Sequence, residues 1–457
     1  MRNLIAVSHK AVVGFFAITF AVNTHVAAQA ATWKLPPDKG TMTKDEIDTI
    51  LAGDDYPETT AYSKKIDFLD FTSYGKKFTQ VVVTLSPKQP RMHKGKKLVV
   101  VGAEPGSEYG MDFLETPEGK EGMGAWLAKR GVTFIALTRV GRWNFFASDG
   151  SGSWKDIPLD QRMPIFNRDQ KSYWSAEEYT TQKSSLTEAT SGDSAVYRVP
   201  KPGTELYAQM LAATPVTLLT GYQQAIDRVL PKAQRKKSFL LYWGMSTGGA
   251  FLYPLAKYIK PDAYLGWGTS NTGLAYLYRK SKQGDFKLPY TQSALRVRER
   301  GLDDFDFYTR DVPPAVKEVW WQGALKDPRF KSAEDAPMQF HIAALTEIAT
   351  RLWMADFLPT EYKKAGLAKL IQDIIEPSFP PKKLKQVPIL DMNGTLDEAI
   401  PPKVVDAHRE IMELYAAKYR VARIQDFHHY LFTQESIKVV GSVWLKFIES
   451  GYFDLKK

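Results

Sequence analysis

The run Gly244-Met245-Ser246-Thr247-Gly248-Gly249 has the spacing G-x-S-x-G, and its flanks decide what it can do. Residues 238–243 ahead of it are almost wholly apolar, as in a strand buried on both faces, and residues 251–259 behind it read as helix. A strand that turns sharply into a helix lifts the hydroxyl of Ser246 above the sheet and holds a Cβ-bearing residue in a strained conformation. The helix start offers its first N–H groups to an oxygen on which negative charge develops. Gly244 and Gly248 suit the turn because side chains there would collide with the neighbouring strand and helix. Phosphate-binding loops are also glycine-rich turns, but they follow the first strand of their unit and space their glycines differently. Ser246 therefore reads as a nucleophile. It has seven histidines to draw on for a base: His9, His25, His93, His341, His408, His428 and His429.

The absence of cysteine removes thiolate nucleophiles, thiolate metal sites and disulfides together. The chain has no H-E-x-x-H pattern, and Asp149-Gly150-Ser151-Gly152-Ser153 is too short a match for a calcium loop. No metal and no cofactor is called for.

The elements that must position Ser246 are legible as alternating strands and helices. Residues 66–71 and 78–85 alternate around Ser73-Tyr74-Gly75-Lys76 as a hairpin. Residues 97–101 form an apolar strand, 123–129 a helix closed by Gly131, and 132–137 a second strand, which is the βαβ order that builds parallel sheets. Residues 204–230 read as helix divided or kinked at Pro215, and 264–267 as a strand. Residues 387–392 resume the strand pattern, followed by helix over 403–419, strand over 421–425 and an amphipathic helix over 437–448. Two stretches interrupt the alternation. Residues 142–202 are aromatic-rich without a clear period, and 273–385 are mostly helical in pattern, including 343–357. There is no internal repeat.

A hydrophobic fraction of 44% supplies a sizeable core and excludes disorder as the class. The net charge of +10 raises the question of an anionic partner. The clusters Lys94-Gly95-Lys96-Lys97, Arg235-Lys236-Lys237 and Lys382-Lys383-Leu384-Lys385 each precede an apolar segment, and so read as solvated loops leading into strands rather than a nucleic-acid surface. At the start, Arg2 and Lys10, the apolar run 11–22 and Ala28-Gln29-Ala30 form the pattern of a secretory signal peptide over residues 1–30. No later stretch is apolar for long enough to span a membrane stably.

With these elements in order, the chain from about residue 66 resembles the α/β-hydrolase superfamily, interrupted by the two insertions. The resemblance implies a mostly parallel central sheet flanked by helices. It implies core segments at 31–272 and 386–457, with a large, mainly helical cap insertion over 273–385 and an aromatic-rich insertion over 142–202. It also implies the chain order nucleophile, acid, histidine. The segment from Val387 through Asp391-Met392-Asn393-Gly394-Thr395-Leu396-Asp397-Glu398 to Pro402 resembles the family's strand, glycine and acid loop, which makes Asp397 the acid, with Asp391 and Glu398 as second choices. His93 and His341 precede the acid, and His408 lies in a helical segment. His429 then falls in the family's place for the base, with His428 as the alternative one residue away. The oxyanion donors implied are the N–H of Thr247 and one from the loop Gly102-Ala103-Glu104-Pro105-Gly106-Ser107, where Gly106 is preferred because a bare backbone allows close approach.

The reading implied is an exported serine hydrolase, periplasmic or secreted, that cleaves a carboxylic ester in a small-molecule or polymer substrate, with a bulky or aromatic group suggested by the insertions. The alternatives are an amidase or peptidase with the same triad, or a non-catalytic binding protein on this scaffold. Serine at the turn disfavours the branches of the family that use aspartate there. The mature chain is expected to begin near Ala31. N-terminal sequencing of protein recovered outside the cytoplasm checks this, and an intact Met1 in that fraction contradicts it.

Overall fold

In the computed structural model the described residues are 33–103, 114, 120–141, 165–170, 178–183, 196–201, 203–213, 215–269, 387–397, 416–429, 431 and 433–455, with further helical positions at 402, 405, 406, 409 and 412 and a turn at 413. In chain order they form β1 (Gly40–Met42), α1 (Lys44–Ala52), β2 (Tyr62–Ser73), β3 (Lys76–Pro87), β4 (Met92–His93), β5 (Lys96–Ala103), α2 (Met123–Ala128) and β6 (Thr133–Leu137). These are followed by β7 (Tyr179–Lys183), β8 (Val196–Pro200), α3 (Glu205–Ala212), α4 (Pro215–Val229), α5 (Lys232–Arg235), β9 (Ser238–Met245) and α6 (Ser246–Leu255). The chain closes with β10 (Ala263–Trp267), β11 (Pro388–Gly394), β12 (Lys418–Ile424) and α7 (Gln434–Glu449).

The main sheet runs β1-β12-β11-β10-β9-β5-β6-β3-β2, with β4 paired to β5. From β1 to β6 every neighbour along this path is parallel, while β3 is antiparallel to both β6 and β2. Period-two alternation sends side chains to both faces. Val99, Val101, Leu240 and Tyr242 pack with α4 and α6 on one face. Leu98, Val100, Leu241 and Trp243 pack with α1, α2 and α7 on the other. Helices on both faces explain why the central strands are continuously apolar.

The hairpin of β2 and β3 turns through Tyr74 (φ 49°) and Gly75 (φ 69°), two successive left-handed residues as the strand twist demands of a two-residue turn. Pro215 divides residues 204–230 into two helices and takes the first position of α4, where its missing N–H costs nothing.

Three expectations are corrected. The helix after the G-x-S-x-G run starts at Ser246 rather than Phe251; Ser, Thr and two Gly are weak helix formers, and tertiary contacts to Ser246 and Gly249 override that preference. The helix read over 403–419 gives way by Lys418, which pairs with Pro388 as the first residue of β12. Residues 142–202, read as irregular, contain the antiparallel pair β7 and β8. The insertion 273–385, including the helix read over 343–357, lies outside the described residues.

Unforeseen in the sequence were β1 and α1, an N-terminal addition beside β12. A capping box starts α1: the Thr43 side chain accepts from the N–H of Glu46, whose carboxylate accepts from the N–H of Thr43 at 2.8 Å. No helix among the described residues is long and apolar enough to cross a membrane.

The face carrying α7 is anchored by Trp444, fully buried with its ring 4.7 Å from that of Trp243 on β9 in edge-on contact. Trp444→Ala should cost about 3–5 kcal/mol, the usual range for emptying a buried tryptophan site. An equilibrium denaturation midpoint measures it.

Candidate active site

Ser246 opens α6 directly after β9 with φ 51°, a left-handed conformation uncommon for a residue with a Cβ. The turn is tight enough that a Cβ on Gly244 would lie 2.0 Å from the Tyr264 hydroxyl and 2.3 Å from the Gly249 Cα. Two hydroxyls hold the first turn of α6 from β10 and the residues after it. Tyr264 donates to the Gly249 carbonyl at 2.7 Å, and Thr269 donates to the Ser246 carbonyl at 2.9 Å. Burial pushes the Tyr264 hydroxyl well above the ordinary tyrosine range, and the negative charge of Asp391 pushes it further, so it remains a donor. Thr247 is the second residue of α6, and the first N–H groups of a helix have no carbonyl one turn back to bind.

Asp397 lies three residues past β11 and His429 five residues past β12. Both are buried, and Nδ1 of His429 sits 3.0 Å from each carboxylate oxygen of Asp397. A carboxylate only accepts, so Nδ1 carries the hydrogen, and in the neutral ring the lone pair is then on Nε2.

The two loops are stitched by their backbones. Thr395 N–H donates to the Ile424 carbonyl at 3.0 Å, and Leu396 N–H to the Phe427 carbonyl at 3.0 Å. Trp267 Nε1 donates to the His429 carbonyl at 2.7 Å and fixes the ring's point of attachment.

Gly268 and Thr269, directly after β10, connect these pieces. Gly268 has φ +50°, and a Cβ there would lie 2.6 Å from Asp397 Oδ2 and 2.8 Å from His429 Nδ1. Its neighbour Thr269 holds the Ser246 carbonyl. One dipeptide therefore touches the acid–histidine pair on one side and the serine turn on the other. A parallel sheet with the order β12-β11-β10-β9 and chain turns at its carboxyl edge carrying a serine, a carboxylate and a histidine is a specific arrangement. This is the α/β-hydrolase fold.

Neither a known protein family nor a curated protein matches the sequence. Among solved structures, this chain is similar to a thermostable carboxyl esterase from Bacillus coagulans (14% identity, 86% of this chain and 99% of that one, TM-score 0.39). It is similar as well to a monoglyceride lipase from Saccharomyces cerevisiae (12% identity, 88% and 99%, TM-score 0.37). A third is an acylaminoacyl peptidase from Pyrococcus horikoshii (10% identity, 88% and 44%, TM-score 0.35), of which this chain spans less than half the length. Likeness this distant carries no argument about activity, and the α/β-hydrolase fold rests on the strand order and the turns.

Within that fold the residues singled out from the sequence fall as follows. Asp397 and His429 are brought together, whereas His428 is exposed. Asp391 is buried in the sheet, where it accepts a hydrogen bond from Tyr419. His93 bonds Asp454 at 2.9 Å near the opposite end of the sheet. Gly106, Glu398, His341 and His408 lie outside the described residues. Sequence reasoning missed Gly268, Thr269 and Tyr264; the only available signal was a glycine at the end of an apolar strand.

Gly268→Ala should drive its methyl group into the Asp397–His429 pair. We expect reaction of Ser246 with a fluorophosphonate to slow by about 100-fold, the scale of a misplacement near 1 Å. Labelling time courses beside a thermal melt check that the loss exceeds any unfolding.

Proposed function

We propose that the protein is an exported serine hydrolase that cleaves a carboxylic ester through Ser246, His429 and Asp397. The observation that carries this reading is the buried Asp397–His429 pair. It is joined through Gly268 and Thr269 to a serine whose backbone is held in the left-handed region. Asp397 fixes the tautomer of His429 and stabilises the imidazolium that forms during turnover. Nε2 of His429 takes the proton of Ser246 as its Oγ attacks the ester carbonyl. The N–H of Thr247, with Gly106 as the second donor, stabilises the oxyanion. The histidine returns the proton to the leaving alcohol, leaving an acyl-enzyme that water, activated by the same histidine, hydrolyses.

The ester preference rests on chemistry. An alcohol leaves more readily than an amine, and His429 would have to protonate either one, so the easier leaving group is favoured. The aromatic residues of the insertion 142–202, Trp143, Phe145, Phe146, Trp154, Tyr173 and Trp174 among them, favour a bulky or aromatic acyl or alcohol group.

Ser246→Ala and His429→Ala should each lose about 10⁴-fold or more in turnover of an aryl ester, as removal of triad members does. His428→Ala should stay within roughly 10-fold of the parent. Kinetics at saturating substrate, with matched esters and amides, decide it. A dead His428→Ala beside an active His429→Ala would assign the base to the other ring, and turnover by Ser246→Ala would remove the mechanism.

A further inference from the structure

Two of the lysine clusters noted in the sequence, separated by some 140 residues, become neighbours at the edge of the sheet opposite Ser246. Residues 88–97, ahead of or entering β5, hold five Lys and Arg; residues 231–237, ahead of β9, hold four; residues 257–262, ahead of β10, hold two. β5, β9 and β10 are adjacent strands running in one direction, so these three turns share one rim. Direct contacts bind them together. Lys97 N–H donates to the Lys237 carbonyl at 3.0 Å, Asp262 N–H to the Leu240 carbonyl at 2.7 Å, and Lys96 lies 3.8 Å from Asp262.

Asp262 is the single acid in the three turns against eleven Lys and Arg, a formal +10 equal to that of the whole chain. Acids from outside reach in: Asp454 pairs with Lys94 at 2.7 Å, Glu449 with Arg91 at 3.0 Å and Asp227 with Arg235 at 2.6 Å. Even with these included, the rim is strongly positive. Lys97, Lys236, Lys237 and Lys257 are exposed on it.

Two large apolar side chains are also exposed on this rim. Met92 on β4, paired with Lys97, is 52% exposed, and Tyr258 is 49% exposed with the Lys257 ammonium 5.8 Å from its ring centre. Exposed lysines around a tyrosine and a methionine match the boundary of an anionic bilayer, where ammonium groups meet phosphates and the amphipathic ring sits at headgroup depth. We propose that this rim is a docking surface for anionic phospholipid bilayers. A nucleic acid would satisfy the lysines but leaves Met92 without a role, which is why lipid is the partner favoured.

The geometry has a functional consequence. β9 runs from the rim to Ser246, and its eight residues separate the two by roughly 25 Å. A protein docked by this rim holds its catalytic edge away from the bilayer and draws substrate from the aqueous side. The proposal is independent of the triad.

The experiment uses the protein lacking residues 1–30, since residues 33–457 form a compact unit. Sedimentation with phosphatidylcholine vesicles containing about 30% phosphatidylglycerol should capture it at low salt. Pure phosphatidylcholine should not, and salt near about 0.5 M should release it. The triple variant Lys97→Glu, Lys237→Glu, Lys257→Glu should bind roughly a hundredfold more weakly, about fivefold or more per lysine. Its hydrolysis of a soluble ester should remain within about twofold of the parent, because none of the three lies at the site. Absence of capture by anionic vesicles, undiminished capture of the triple variant, or tighter binding to duplex DNA at the same salt would each overturn the proposal.

Discussion

A serine held with φ 51° is uncomfortable: left-handed backbone in a residue with a Cβ costs of the order of 1–3 kcal/mol and persists only where its surroundings leave no alternative. The carboxyl edge of this sheet supplies those surroundings. β9 enters the turn fully buried, the Gly244 Cα lies so near Gly249 that no side chain fits between them, and the carbonyls of Ser246 and Gly249 are held by Thr269 and Tyr264. Relaxing the serine would break hydrogen bonds in a buried environment, where each unsatisfied carbonyl costs about as much as the strain it would relieve. The strain is thus held by the fold.

The acid and histidine follow the same logic. A carboxylate buried beside an imidazole is tolerated only with its oxygens satisfied and its partner fixed. The fixing comes from backbone rather than side chains: the loops after β11 and β12 are bonded to each other, and Trp267 from β10 holds the His429 carbonyl. Three consecutive residues, Trp267, Gly268 and Thr269, thereby touch the histidine, the acid–histidine pair and the serine in turn. Positioning in this site is concentrated at the exit of one strand that supplies neither the serine, nor the carboxylate, nor the histidine.

The opposite edge of the sheet is organised by charge. Parallel strands put all their amino ends on one side, so lysines that merely precede buried strands are gathered into one rim. A parallel sheet separates its two edges by the length of its strands, which keeps the serine turn and the basic rim apart.

Ser246 and its turn were legible because the chemistry is local: six contiguous residues, a buried strand before them and a helix after. Asp397 was legible through its resemblance to a family segment, again a contiguous stretch. The preference for His429 over His428 rested only on its place in that resemblance, since adjacent residues differ in which way the chain turns, and the contact that separates them is with Asp397, 32 residues away. Gly268 and Thr269 carried almost no signal, because their importance comes from neighbours brought in by β9, β11 and β12 rather than from residue type. The helix start at Ser246 was misplaced for a related reason: propensity argues against Ser-Thr-Gly-Gly, and only hydroxyls from distant residues overrule it. The sequence by itself therefore determined the alternating elements, the serine turn and the segment that carries Asp397, all encoded in short-range patterns of burial and spacing. The tertiary structure settled the contact of His429 rather than His428 with Asp397, and it alone decided which strand exit braces the site and that separate lysine clusters share one edge, because those facts are distances between segments far apart in the chain.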